Sequence, residues 1–298
     1  MARRDDLVGS ITPLVTPFSG DRVDFDAYAR LVERQIEGGS QGVVVTGTSG
    51  EPSVLTADER VRLVESAVGA ASGRIPVVAA TGSGSYAETL SLSEAAVAAG
   101  ADALLVVTPY YIRPPQRGMA RYFIDIASRV DVPVLIYHIP GRAAVTLEAD
   151  TLVEIVEGAP NVVGMKHAST DMALVTEALI RVGADFRVFV GLEELSLPML
   201  SIGACGLMNA AGNIVPDRVA ALWHAVHQQR LDDARKIHQE LWELNKSIFF
   251  DTNPIPIKYM MRRMGVLATN DHRLPMVPAT PELETVLDGV LRRAGLIE

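Results

Sequence analysis

The chain has 298 residues, of which 48% are hydrophobic and 21% are charged, a composition that supports a large folded core and argues against disorder. Its formal net charge of −9 argues against nucleic acid or an anionic membrane as a partner, because both attract basic patches. The single cysteine, Cys205, excludes an internal disulfide framework. We expect a cytoplasmic protein, since residues 1–6 turn acidic where a signal peptide would be apolar, and no apolar stretch is long enough to span a bilayer.

Short apolar runs rich in Val, Ile and Leu recur along the chain, and segments with helical periodicity separate them. Continuous apolarity is typical of strands that are buried on both faces of a parallel sheet. The predicted strands span residues 10–16, 42–46, 75–80, 103–108, 132–137, 162–166, 186–190 and 204–208. Eight strand–helix units over this length predict a (β/α)8 barrel of the α/β class.

Helix signals complete the predicted domain. Thr56 and Glu59 have the spacing of a capping box, which opens a helix over residues 58–68 with Gly69 as its stop. Beyond the eighth strand, four further helices are predicted at residues 217–228, 231–249, 254–264 and 280–294. We therefore divide the chain into a barrel, residues 1–225, and a C-terminal helical extension, residues 226–298, that packs on the barrel or mediates oligomer contacts.

A doubly wound open sheet is the alternative fold. Its dinucleotide-binding version carries Gly-x-Gly-x-x-Gly at the start of the first helix, and this chain has no such motif there. The segment Gly82–Ser85 is glycine-rich but lacks a following Gly-Lys, so we interpret it as a plain turn.

In a barrel, functional side chains stand at the carboxyl ends of the strands. Lys166 ends the sixth predicted strand, and an amine desolvated there is available for Schiff-base formation with a carbonyl substrate. The other strand ends contribute Thr46–Glu51, Tyr110 and Tyr111, Tyr137, and Arg142. The carboxyl-terminal end of the predicted barrel thus carries an amine, phenols, hydroxyls and a guanidinium. This set indicates imine chemistry with proton transfer and binding of an anion.

A metal-dependent aldolase is a competing hypothesis, because His138, His167, Glu193 and Glu194 lie close to the same strand ends. Adjacent residues of a strand point to opposite faces. If Tyr137 and Lys166 face the lumen, the two histidines face the helices and cannot share a metal with the lumen groups. We therefore expect no metal in the reaction.

The chain resembles the dihydrodipicolinate synthase/N-acetylneuraminate lyase family from about Gly9 to its C-terminus. The resemblance is carried by Gly47-Thr48-Ser49-Gly50-Glu51, Thr108-Pro109-Tyr110-Tyr111, Tyr137-His138-Ile139-Pro140, Gly164-Met165-Lys166 and Asn253-Pro254-Ile255-Pro256-Ile257-Lys258. It implies a barrel in which Lys166 forms an imine with pyruvate and no separate cofactor is used.

The resemblance also implies a role for each matching residue. Tyr137 relays protons through Thr48 to Tyr111, and Tyr111 reaches a neighbouring subunit in a homodimer or homotetramer. Ser49 and the nearby Gly47 bind the carboxylate of pyruvate, and Met208 lines the pyruvate pocket. Arg142 matches the arginine with which the synthases of the family hold aspartate semialdehyde, as expected of a guanidinium fork on a carboxylate.

These matches imply a lyase that condenses pyruvate with L-aspartate 4-semialdehyde to 4-hydroxy-tetrahydrodipicolinate, in lysine and diaminopimelate biosynthesis. His138 and Gly141 depart from the synthase pattern, which has Asn and Ser there. They leave open a paralogous pyruvate-dependent aldolase or dehydratase acting on a sugar acid or another 2-oxo acid. A catalytically silent 2-oxo-acid-binding protein is the alternative from another class.

Feedback inhibition by lysine is expected to be weak or absent. Ala57, Arg60 and Gly84 stand where lysine-inhibited synthases have polar allosteric residues, while Glu88 and Tyr110 match them.

Overall fold

The structure, a computed structural model, describes residues 4–298. Residues 1–3, at the start of the leading segment considered above, lie outside the described residues. The strands are β1 (Gly9–Pro13), β2 (Phe18–Ser19), β3 (Arg22–Val23), β4 (Gly42–Val45), β5 (Val77–Ala80), β6 (Ala103–Val107), β7 (Val134–His138), β8 (Val162–His167), β9 (Arg187–Val190) and β10 (Gly206–Leu207).

Eight of these strands close a barrel in the order β1-β4-β5-β6-β7-β8-β9-β10, and every neighbouring pair is parallel. The predicted barrel is confirmed, since each of the eight predicted strands overlaps one of them. The hairpin of β2 and β3 was missed, because strands of two residues leave no periodic signal.

The helices connect successive strands and then continue beyond the barrel. They are α1 (Phe25–Glu37), α2 (Ala57–Ala71), α3 (Tyr86–Ala98), α4 (Gln116–Ala127), α5 (Pro140–Ala143), α6 (Ala149–Gly158), α7 (Met172–Arg181), α8 (Ser196–Ser201), α9 (Pro216–His227), α10 (Leu231–Glu240), α11 (Trp242–Ser247), α12 (Ile255–Arg263) and α13 (Pro281–Arg293). Short 3-10 turns lie at Arg4–Asp6, Thr48–Gly50, Pro52–Val54, Glu193–Leu195 and Ala210–Asn213.

Two helix predictions need correction. The capping box of Thr56 and Glu59 is confirmed, but α2 continues through Gly69 and ends where Ser72 adopts the left-handed conformation, with φ at 47°. A mid-helix glycine carries only a modest penalty, so it does not by itself stop a helix. The helix predicted over residues 231–249 is two helices, α10 and α11, with Leu241 between them.

Alternation along the strands creates two apolar layers. One layer fills the lumen and includes Ile11, Val44, Leu105, Leu135 and Phe189. The other packs the outer face of the strands against the helices, and its buried residues extend from the first strands to α13. The lumen is therefore a packed core, open for chemistry only at its carboxyl-terminal end.

The C-terminal helices share this outer core: buried residues of α11, α12 and α13 belong to the same apolar cluster as those of α1 and α9. The division of the chain at residue 225 stays a prediction. Among residues 4–298, no helix is long and apolar enough to cross a membrane.

A segment between α12 and α13 is held against the barrel by an ion pair. Arg273 donates two hydrogen bonds to the Glu59 carboxylate, over 2.7 and 2.8 Å, and a third to the carbonyl of Val54 over 3.0 Å. The hydrogen bonds from Arg273 lower the pKa of Glu59 to about 2. Glu59 also caps α2, so one carboxylate fixes both the helix and the segment that packs over it.

Candidate active site

A cavity of about 500 Å³ opens at the carboxyl ends of β4 to β7. Gly47, Thr48, Tyr137 and Arg142 line it, as the sequence predicts. Its wall also includes polar residues without an assigned role in catalysis, namely Glu51, Arg60, Ser83, Glu88 and Asn253. Gly82 and Ser83 thus belong to the cavity wall as well as to the turn predicted there.

The phenol of Tyr137 and the hydroxyl of Thr48 line this cavity, and the amine of Lys166, which is not among the lining residues, lies next to the phenol. Lys166 is 5% exposed, and its Nζ lies 4.5 Å from the ring centroid of Tyr137. The Tyr137 hydroxyl lies 3.2 Å from Oγ1 of Thr48, within hydrogen-bond distance. A proton can therefore pass between the phenol and the threonine hydroxyl beside an amine that is largely shielded from water.

Strand register explains this meeting. Tyr137 on β7 pairs with Lys166 on β8, and Lys166 pairs with Phe189 on β9. Tyr137 and Phe189 both belong to the lumen layer, so Lys166 faces the lumen with them. Glycine at position 191 keeps room for the lysine, because a Cβ there would lie 3.0 Å from Cε of Lys166.

The histidines behind these residues have the predicted orientation. His138 and His167 pair in register on the same two strands and are fully buried in the layer between strands and helices. Within residues 4–298, no group of three or more His, Cys, Asp and Glu side chains has the arrangement of a metal site.

The loop after β4 is a tight turn. Thr46 and Glu51 at its two ends both adopt the left-handed conformation, each with φ at 55°, an arrangement that side chains rarely take without tertiary support. Ser49 is buried, and its Oγ accepts a hydrogen bond of 3.1 Å from Nδ2 of Asn253. Because the bond from Asn253 occupies only an acceptor site, the Ser49 hydroxyl proton remains available for a ligand.

A buried ion pair holds the far end of this loop. Nζ of Lys258 lies 2.9 Å from Oε1 of Glu51, and Nδ1 of His272 lies 3.0 Å from Oε2 of the same carboxylate. Burial lowers the pKa of Lys258, and the charge of Glu51 opposes this shift. The contact joins residues 207 positions apart, so α12 supports the turn that carries Thr48 and Ser49.

The remaining predicted residues lie at different depths. Met208 is buried in the lumen layer, and Arg142 is exposed on the one-turn helix α5 at the cavity wall. Tyr111 is 91% exposed with φ at 75°, and the hydroxyl contact between Thr48 and Tyr137 does not extend to it within this chain.

Two residues near the site were not assigned a catalytic or binding role from sequence. Asn253 supports Ser49, and only its place in the Asn253–Lys258 motif pointed to it. Glu193 was considered only as a metal ligand. It is buried, and Oε1 accepts the backbone N–H of Ala210 over 2.6 Å. Burial raises the pKa of Glu193, and backbone hydrogen bonds, followed by the charge of Lys166, oppose the shift.

Comparison with known proteins decides the family. A model of the dihydrodipicolinate synthetase family matches residues 6–294. The chain belongs to this family. It is 44% identical to a 4-hydroxy-tetrahydrodipicolinate synthase of Thermus thermophilus, over 97% of both chains.

Solved structures agree with this assignment. The dihydrodipicolinate synthase of Aquifex aeolicus superposes with a TM-score of 0.95 at 38% identity, covering 97% of this chain and 99% of that chain. An Acinetobacter baumannii dihydrodipicolinate synthase, described as chloride-inhibited and complexed with pyruvate, superposes with a TM-score of 0.94 at 34% identity. That comparison covers 98% of this chain and 100% of the other.

The substitution Lys258→Met is expected to destabilise the protein by about 3–5 kcal/mol, because it leaves the Glu51 carboxylate buried without its ammonium partner. The double variant E51Q/K258M, which removes the buried charge as well, is expected to lose less. Urea unfolding midpoints measure both effects. The matched control is Lys236→Met, whose exposed pair with Glu240 contributes little. Equal midpoints for K258M and K236M would contradict the prediction.

Proposed function

We propose that this chain is a lyase that condenses pyruvate with L-aspartate 4-semialdehyde to 4-hydroxy-tetrahydrodipicolinate. The observation that carries the proposal is the contact of Lys166 with Tyr137, and of Tyr137 with Thr48, at a cavity whose wall carries Arg142. Membership of the family and the names of its similar relatives support the choice of reaction.

Lys166 acts as the nucleophile. Its amine attacks the ketone carbon of pyruvate, and the resulting carbinolamine loses water to give an imine. Loss of a methyl proton gives an enamine, whose carbon attacks the aldehyde of the second substrate. The amino group of that substrate then displaces Lys166 from the imine carbon, which closes the ring and frees the enzyme.

Tyr137 and Thr48 move the protons of these steps. The phenol reaches the reacting atoms because its ring lies against the Lys166 amine, and its hydroxyl is within 3.2 Å of Thr48. A hydroxyl chain can both donate and accept, which carbinolamine formation and dehydration require in turn.

Different residues bind the carboxylates of the two substrates. Ser49, whose hydroxyl proton is free to donate, holds the carboxylate of pyruvate together with the backbone of its turn, which Gly47 opens. Met208 packs beneath the bound pyruvate. Arg142 at the outer wall takes the carboxylate of the semialdehyde as a two-pronged donor.

The two departures from the synthase pattern do not reach the cavity, which weakens the sugar-acid alternative. His138 is buried behind the strands, and neither His138 nor Gly141 is among the residues that line the cavity. The silent binding protein is disfavoured by the hydroxyl pair of Thr48 and Tyr137, because proton transfer is what that pair provides.

The imine is tested by borohydride reduction in the presence of pyruvate, followed by mapping of the modified peptide. We expect a stable adduct on Lys166 in the parent chain and none in Lys166→Arg, because the guanidinium remains charged and cannot attack. An adduct on another lysine, or none, would refute this chemistry.

The second substrate is tested with Arg142→Gln. We expect kcat/KM for aspartate semialdehyde to fall by about 10–100-fold, the worth of a charge-assisted hydrogen bond, while pyruvate still forms the borohydride-trapped adduct. A panel of sugar-acid aldol products serves as comparison. Turnover of a panel member without turnover of the semialdehyde would favour the paralogous aldolase.

Tyr111 extends the proton chain in the site of a neighbouring subunit in a homodimer or homotetramer. Its exposed side chain and that of Ile112, 63% exposed, support this proposal. Co-expressing Lys166→Arg with Tyr111→Phe chains tests it. Activity should return, because one site of the mixed dimer has both the lysine and the tyrosine. If Tyr111 acts within its own chain, no mixed assembly regains activity.

Lysine is expected to inhibit weakly or not at all. The guanidinium of Arg60 lies at the cavity wall, where it repels another cation, and Nη2 of Arg60 is held by the carbonyl of Ala80 over 2.9 Å. A steady-state assay with added lysine measures the effect. Strong inhibition by sub-millimolar lysine would contradict the prediction.

A further inference from the structure

Two buried imidazoles lie directly behind the candidate active site. His138 follows Tyr137 on β7, and His167 follows Lys166 on β8. Neither histidine is exposed. Their Nδ1 atoms are 3.1 Å apart, so one hydrogen bond joins the two strands at the residues next to the phenol and the amine.

The contacts of this pair admit one arrangement of its protons. Leu147 donates its backbone N–H to Nε2 of His138 over 3.2 Å, so this nitrogen is unprotonated and the proton of His138 lies on Nδ1. His138 then donates to Nδ1 of His167, whose own proton lies on Nε2, a buried atom that has no hydrogen-bond partner in the part of the chain that the structure describes. The tautomers follow from this count of donors and acceptors.

The chain of hydrogen bonds connects three elements of the site. It begins at Leu147, shortly after the helix α5 that carries Arg142, passes through His138 on β7 and ends at His167 on β8. The carbonyls of the two histidines also accept from the next strand ends, Ala168 N–H over 2.8 Å and Gly191 N–H over 2.8 Å. The backbone of both histidines is thus part of the ladder that joins β7, β8 and the residues after β9.

The surroundings keep both rings neutral. Burial, followed by the neighbouring imidazole, lowers the pKa of His138 to about 4, and burial lowers the pKa of His167. Asp171, the N-cap of α7, is the charged group that acts on both and opposes these shifts. The buried faces of α6 and α7 present only Thr151, Leu152, Ile155, Leu174, Val175 and Ala178, none of which ionises.

We propose that the pair of His138 and His167 positions the phenol and the amine of the site, and that a proton added to the pair switches the site off in acid. The inference rests on the proposed function, since it assigns positioning residues to that reaction. An extra proton on His138 places its Nε2–H opposite the N–H of Leu147, and an extra proton on His167 places two N–H groups opposite each other between the rings. In either case a hydrogen bond of the series is lost.

The direction in which stability changes with pH follows from the neutral state of the pair. Because the folded protein binds the proton less readily than an exposed histidine, whose ordinary pKa is 6.5, stability falls as the pH drops from 6.5 towards 4. Activity is lost in acid, as either ring takes up a proton in the folded state.

Two substitutions of one residue separate positioning from packing. Asparagine at position 167 presents Oδ1 where Nδ1 stood and still accepts from His138, whereas leucine accepts nothing. We expect H167L to lower kcat by about 10-fold or more with little change in the KM for pyruvate, and H167N to retain kcat near the parent value at pH 8. His238→Asn, on α10 away from the cavity, is the matched control. Equal kcat in H167L and the parent chain overturns the proposal.

The fall of kcat on the acid side of its pH profile gives a readout that does not depend on how well H167L folds. This part of the profile is the acid limb. In H167N only one of the two titrating rings remains, so the limb is expected to change position relative to the parent chain, whereas H238N keeps it. A limb that stays in place in H167N overturns the proposal.

Nitrogen NMR of histidine-labelled protein, without substrate, separates this proposal from the proposed function. The chain has six histidines, and the H138N and H167N variants assign the two resonances. At pH 7 we expect His138 protonated on Nδ1 and His167 on Nε2. Other tautomers, or a charged pair, refute the inference even if the enzyme is active. An inactive parent chain with these tautomers refutes the function alone.

Discussion

The register between β7 and β8 is the constraint on which the site depends. Tyr137 lies opposite Lys166 and His138 opposite His167, so two adjacent pairs of residues serve opposite faces of the barrel wall. A slip of one residue on either strand would exchange lumen and helix faces for that strand. It would bury the amine or the phenol in the outer layer and bring an imidazole into the cavity.

The C-terminal helices complete the site. Lys258 on α12 forms a buried ion pair with Glu51, which lies at the end of the turn that carries Thr48 and Ser49. The adjoining Asn253 donates to Ser49 itself. A buried charge pair is costly to assemble and more costly to break, so it specifies the position of the turn more than it adds to stability. The helices beyond the barrel thus help to position the turn at the candidate site.

Much of this arrangement is visible in the sequence because it arises from local patterns. Buried parallel strands produce apolar runs, and alternation predicted that the histidines face the helices if Tyr137 and Lys166 face the lumen, as they do. Contacts between distant segments are a different matter. Glu51 and Lys258 are separated by 207 positions, and no local sequence pattern predicts that they form a pair. The motif containing Lys258 was noticed, but its contact with the turn was not predicted.

The histidines illustrate why a departure from a pattern has to be judged in three dimensions. In the sequence, His138 stands beside a predicted catalytic residue and therefore suggested a different substrate. In the fold its Nδ1 is hydrogen-bonded to His167, and it is not among the residues that line the cavity. An imidazole at 138 facing an apolar residue at 167 would leave a buried donor without an acceptor, at about 1–3 kcal/mol. The residue that is tolerated at position 138 therefore depends on the residue at position 167, and the reverse. The two form one polar pair behind the amine and the phenol.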